Sequence, residues 1–87
     1  MSKTPTPEDF KVIARSPFNV YYEGQATAVS AVNKVGKFDI LPGHADFFSI
    51  LSPGEILIDT PSSPISFDIA NGIVAVRKGI VMLFVNM

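Results

Sequence analysis

Glu55-Ile56-Leu57-Ile58-Asp59, a proline-bounded gap at 61–64, and then Ile65-Ser66-Phe67-Asp68-Ile69 decide the fold class of this chain. The second stretch alternates strictly, placing Ile65, Phe67 and Ile69 on one face. The first alternates nearly so. A period of two is the signature of a half-buried β-strand. Immediately downstream, Asn71-Gly72 separates 65–70 from 73–78, and two residues tolerant of positive φ between extended runs predict a tight hairpin. Lys78-Gly79 then leads into Ile80-Val81-Met82-Leu83-Phe84-Val85, which is apolar on both faces. Such a run is either a central strand covered on both sides or an outer strand whose second face meets a partner.

The same punctuation continues upstream. Extended stretches are expected at 10–16, ended by Pro17, and at 19–22, before Gly24 breaks the pattern. Others follow at 27–32, at 37–41 before Pro42-Gly43, and at Phe47–Leu51, closed by Pro53-Gly54. Short strands divided by Gly/Pro turns indicate an all-β sandwich or barrel, and the expectation taken forward is a two-sheet β-sandwich of about eight to ten short strands. Seven prolines spread along the chain exclude a helix bundle. Ile56, Ile58, Phe67, Ile69, Val74 and Val76 are the expected core. Tyr21-Tyr22 and Phe47-Phe48 each put one ring on either side of a strand, so one ring of each pair packs inside and the other lies at an edge or surface.

With 87 residues there is material for one core, and 47% hydrophobic against 17% charged residues excludes disorder. A net charge of −1, with seven basic residues scattered among acidic ones, leaves nothing to neutralise a row of phosphates, so nucleic-acid binding is not expected. Without cysteine the domain rests on packing alone. Residues 1–9 carry Pro5, Pro7, Glu8 and Asp9 and read as a flexible lead-in without the apolar stretch of a signal peptide, leaving 10–87 as the domain. The apolar run Ile80–Val85 is far shorter than the about 20 residues of a membrane-spanning helix.

Catalytic constellations are missing from the pattern. His44 is the sole histidine, and no G-x-S-x-G elbow accompanies it. The glycines never take the spacing that wraps a phosphate. Asp59 and Asp68 could meet across neighbouring strands, although solvent-facing positions on a sheet account for both. No catalytic, metal or cofactor residues are therefore expected. At Pro42-Gly43, proline fixes one dihedral and glycine takes the difficult one, so the loop acts by shape.

Gly36-Lys37-Phe38-Asp39-Ile40-Leu41-Pro42-Gly43-His44-Ala45 resembles the G-x-[LF]-G-I-L-P-G-H-A segment of the epsilon subunits of F-type ATP synthases. Ser52-Pro53-Gly54-Glu55-Ile56-Leu57-Ile58 is similar to that family's K-P-G-x-[VI]-x-[IV] strand, and Ala70-Asn71-Gly72-Ile73-Val74-Ala75-Val76 to its S-G-G-x-[LV]-x-V stretch. The likeness runs from Phe10 to Asn86. Asp39 and Asn71 stand where the family usually has glycine, and Thr27 where an acidic residue is common. The family's usual helical hairpin, which binds ATP in some bacteria, has no counterpart in these residues.

The resemblance implies a non-catalytic rotor part that binds the gamma subunit and the c ring, with no nucleotide binding and no membrane insertion of its own. It implies a soluble domain, peripheral through the complex on the cytoplasmic side of an energy-coupling membrane. The ring-facing loop would be Thr27, Pro42, Gly43, His44 and Ala45. The gamma-facing strand would be Ile80, Val81, Met82, Leu83, Phe84 and Val85, through one of its two faces. The alternative is a free-standing epsilon-like interaction module outside the synthase.

Overall fold

The computed structural model describes residues 10–43 and 45–87; the expected lead-in at 1–9 and His44 lie outside the described residues. Nine strands follow one another: β1 (Phe10–Arg15), β2 (Val20–Ala26), β3 (Ala28–Asn33), β4 (Gly36–Ile40), β5 (Phe47–Leu51), β6 (Gly54–Asp59), β7 (Pro64–Ile69), β8 (Gly72–Arg77) and β9 (Ile80–Val85). They form a five-stranded sheet, β2-β1-β9-β8-β5, and a four-stranded sheet, β4-β3-β6-β7. This is the all-β sandwich that the alternation predicts. Every neighbouring pair is antiparallel except β1 and β9, which run parallel from Lys11 opposite Ile80 to Arg15 opposite Phe84.

Alternation builds the core directly, because successive side chains on a strand point to opposite faces. Val12 and Ala14, Val29 and Ala31, Ile56 and Ile58, and Val74 and Val76 all turn into the space between the sheets. β9 contributes Val81, Leu83 and Val85, each 0% exposed. Tyr22, Phe38, Phe47, Ile65 and Phe67 pack around this centre half-buried. Phe38 meets Phe47 edge to face across the two sheets, with ring centroids 6.1 Å apart. Among the described residues, no buried side-chain polar atom lacks a hydrogen-bond partner.

Several sequence expectations are corrected. Gly24 does not end its strand, since β2 runs through it to Ala26 with Gly24 opposite Val12. The ring of Tyr22 lies over Gly24 instead, its hydroxyl donating to the Gln25 carbonyl. Asn71-Gly72 does not turn a hairpin: β7 and β8 belong to different sheets, and neither residue has positive φ. The tight hairpin is Lys78-Gly79, with φ of 51° and 77°, joining β8 to β9. Asp59 and Asp68 sit at opposite ends of the β6–β7 pair, opposite Pro64 and Glu55 respectively, and do not meet.

Gly72 is required for closeness rather than for a turn. A Cβ there would lie 2.9 Å from the Phe84 carbonyl oxygen and 3.0 Å from Val85 Cγ1. Gly72→Ala is therefore expected to cost about 1–3 kcal/mol through overpacking against backbone, read from urea denaturation. An unchanged midpoint would show that β8 and β9 can part at no cost. Phe67 is the other correction, because it is half-buried at the sandwich margin, stacked on Tyr21 with centroids 4.5 Å apart. Phe67→Ala is expected to cost about 1–3 kcal/mol, below the about 3–5 of an enclosed phenylalanine. Thermal unfolding of the variant decides between the two ranges.

Candidate partner interface

The outer face of the five-stranded sheet follows from the register. Residues one step from each core position turn outward, and the strand pairings align them in rows. One row runs Glu23, Ile13, Met82, Ala75, Phe48, and the next Val20, Arg15, Phe84, Ile73, Ile50. A third begins at Gln25 and passes Lys11, Ile80 and Arg77. The centre of this face is thus apolar from β1 to β5. Ile80 is 40% exposed and Phe48 62%, while Ile13, Ile73, Met82 and Phe84 are half-buried.

Charge stays at the margin. Lys11 pairs with Glu23 at 3.8 Å, and both remain about half exposed, so the pair marks the rim and contributes little stability. The four-stranded sheet has the opposite character. Its outer face carries Asp39, Glu55, Asp59, Asp68, Ser30 and Ser66, with the Ser30 hydroxyl donating to Asp39 Oδ1 at 2.6 Å across β3 and β4. One outer face is built to stay wet; the other resembles a half-interface, apolar at its centre and charged at its rim.

A second cluster lies at one end of the sandwich, where the β2–β3 corner, the 41–46 loop and the β8–β9 hairpin converge. The Thr27 N–H donates to the Asp59 carbonyl at 2.8 Å, fixing the corner where the chain changes sheets. Gly43 takes φ of 81°, the conformation expected of Pro42-Gly43. Asp46 ties the loop down: Lys78 N–H donates to Asp46 Oδ1 at 2.9 Å, and Arg77 Nε lies 3.9 Å from Asp46 Oδ2. The structure therefore brings Thr27, Pro42, Gly43 and Ala45 to one end, whereas His44 is outside the described residues. Among the described residues, no group of three or more His, Cys, Asp or Glu side chains converges, and no helix is long and apolar enough to cross a membrane.

The sequence pattern described as "ATP synthase, Delta/Epsilon chain, beta-sandwich domain" matches residues 9–87. The chain belongs to this family. It is 35% identical over 63 residues to the ATP synthase epsilon chain of Ruthia magnifica subsp. Calyptogena magnifica, covering 72% of this chain and 46% of that one. With the ATP synthase epsilon chain of Stenotrophomonas maltophilia (strain K279a), identity is 32% over 66 residues, covering 75% and 47%. The chain thus spans about half the length of the curated relatives it matches. Its fold is shared with a chain of the Euglena gracilis mitochondrial ATP synthase OSCP/F1/c-ring structure, at a TM-score of 0.84, 16% identity and coverage of 99% of this chain and 56% of that one. A chain of the Tetrahymena thermophila mitochondrial ATP synthase central stalk/c-ring structure aligns at 0.74, with 19% identity and coverage of 86% and 61%.

Within this delta/epsilon-chain sandwich, the gamma-facing strand expected from sequence divides in two. Val81, Leu83 and Val85 are core and unavailable to a partner; Ile80, Met82 and Phe84 face outward. Sequence reasoning missed Ile13, Ile73 and Ala75, which complete the same face. A signal existed, for Ile73-Val74-Ala75-Val76 lacks polar alternation just as β9 does. The unbroken apolar run of two adjacent strands marks a sheet with no wet side.

Proposed function

We propose that this chain is the β-sandwich portion of an epsilon-type central-stalk subunit of an F-type ATP synthase, a non-catalytic coupling part that binds gamma and rests on the c ring. The observation that carries this reading is the apolar outer face of the five-stranded sheet, centred on Met82 and Phe84. So small a domain gains nothing from leaving that surface in water, and contiguous apolar patches on such domains mark protein contacts. Gamma occupies this face, and the end carrying Thr27, Pro42, Gly43, His44 and Ala45 addresses the ring. The domain is then peripheral to an energy-coupling membrane, on its cytoplasmic side and through the complex alone.

Co-expression with the gamma subunit of the same organism tests the assignment. The two chains are expected to co-purify, and cysteines placed at Thr27 or Ala45 in the assembled complex are expected to cross-link to the c ring. A chain that leaves gamma behind supports the second reading, an epsilon-like module working outside the synthase. Calorimetry with ATP is expected to give no heat of binding at micromolar ligand, because among the described residues no glycine loop or helix N-terminus is shaped to cradle phosphate. Micromolar affinity would require a site elsewhere on the sandwich.

A further inference from the structure

Four strands end the two sheets: β2 and β5 in one, β4 and β7 in the other. A free edge offers unpaired N–H and C=O groups to any second strand, and natural sheets blunt such edges with charge, proline, bulges or a covering side chain. Three edges are blunted in this way. β7 opens on exposed Pro64 and carries Asp68, and β4 carries exposed Lys37 and Asp39. β2 carries Glu23, shifts register opposite Ala14 and Arg15, and is overlaid by the Tyr22 ring. β5 has no charge, proline or bulge; Asn33 Nδ2 donates to Ser49 Oγ at 3.3 Å and Ser52 N–H to the Val32 carbonyl at 2.9 Å, so the β3–β4 hairpin flanks its far end but leaves Phe48 and Ile50 open. Phe47-Phe48-Ser49-Ile50-Leu51 holds no charge and no proline, and Phe48 and Ile50 are 62% and 71% exposed. Beside it, Asn33, Lys34 and Val35 wall a groove of about 410 Å³ whose other side is Phe48, Ser49 and Ile50.

We propose that β5 is a self-pairing edge, adding antiparallel to β5 of a second copy of this chain about a two-fold axis through Ser49. The strand is self-complementary in that register. Phe48 comes opposite the second copy's Ile50 on the outer face, an aromatic against a β-branched side chain, and Phe47 comes opposite its Leu51 on the inner face. No charged side chain lies in this pairing, whereas β4 and β7 paired with themselves would each carry charged side chains into it. The two-fold of an antiparallel pair stands perpendicular to the sheet, so the two apolar outer faces join on one side. Phe48, Ile50 and Val35, the last 90% exposed, make up the contact in each copy. Doubled by symmetry and with their backbone, they bury on the order of 1,000 Å², the lower limit of a specific interface. The dimer is therefore weak and concentration-dependent.

Sedimentation equilibrium of the full chain from micromolar to millimolar concentration tests this. The expected result is a monomer–dimer equilibrium that Ile50→Lys abolishes and Ser66→Lys, on the far sheet, leaves in place. Because the chain has no cysteine, Ser49→Cys supplies a single thiol. Directly opposed strand residues have Cα atoms about 4.5–5.5 Å apart, within disulfide reach. Ser49→Cys is expected to form disulfide dimers on the order of tenfold faster than Ser66→Cys at equal concentration. A monomer at millimolar concentration, dimerisation that survives Ile50→Lys, or equal cross-linking at the two positions would overturn the proposal. So would amide protection at Phe48 and Ile50 that arises only on adding gamma, since the strand at this edge would then be gamma's.

Discussion

Met82→Asp and Phe84→Asp are expected to yield folded protein that no longer binds gamma, whereas Leu83→Asp, between them in sequence, is expected to yield no folded protein. The difference is one step along a strand. Leu83 is 0% exposed and faces the other sheet, so a carboxylate there would be buried without a partner. That costs several kcal/mol on top of the lost packing, against a total stability of roughly 5–15 kcal/mol for a small domain. Met82 and Phe84 turn the other way, onto the open face beside Ile13, Ala75 and Ile73. A charge there stays solvated in the free domain and becomes costly only when a partner covers it. At the centre of an interface such a change removes at least about 2 kcal/mol, or roughly 30-fold in affinity. Circular dichroism with thermal melts separates the folded from the unfolded variants, and titration calorimetry reads the binding. Met82→Asp protein that binds gamma at full strength would remove the physical support for the rotor assignment.

Ile58→Ala is expected to destabilise the domain by about 2–5 kcal/mol, the range for emptying an enclosed aliphatic site. Ile58 is fully buried on β6, opposite Val29 of β3 on one side and Ile65 of β7 on the other. It sits inside the four-stranded sheet, and the cavity has no free margin through which to collapse. At about 4–8 °C per kcal/mol for a domain of this size, the melting temperature should fall by tens of degrees toward the upper end of that range. Asp59→Ala, next to it on the wet face, should stay within about 0.5 kcal/mol. A loss below about 1 kcal/mol for Ile58→Ala would mean that the two sheets close over the gap.

Ile58 and Leu83 also mark how far the sequence could be read. Where one face was polar, as in Ile65-Ser66-Phe67-Asp68-Ile69, alternation was enough to orient the strand, because only one side could afford burial. Ile80–Val85 carried no such contrast, so its inner and outer faces were settled only by pairing with β1 and β8. Asn71-Gly72 misled for a related reason. The dipeptide reports on local dihedral freedom, yet whether the flanking strands pair is decided by long-range packing, and here the chain crosses between sheets while Gly72 makes room for the Phe84 carbonyl. The outer face was invisible residue by residue, since Ile13, Ile73 and Met82 become neighbours only through the register of β1, β8 and β9. The 42–45 end was named through the resemblance alone, and the structure adds that Asp46 bonds to the β8–β9 hairpin.

The parallel pairing of β1 with β9 bears on how the domain comes into being. The β1–β2 and β8–β9 hairpins are local and can form within microseconds once their residues exist. The five-stranded sheet cannot close until Lys11 finds Ile80, a loop that spans almost the entire described chain. Loop closure of that length must be endured before any contact rewards it, which places the domain among slow, high-contact-order folders. During synthesis the first hairpin waits, its apolar Ile13 and Val12 sides both uncovered, until β9 has left the ribosome. For that interval both faces of the hairpin are open to anything that binds apolar strands, and the yield of folded chain is expected to respond to conditions during synthesis as well as to the stability of the finished sandwich.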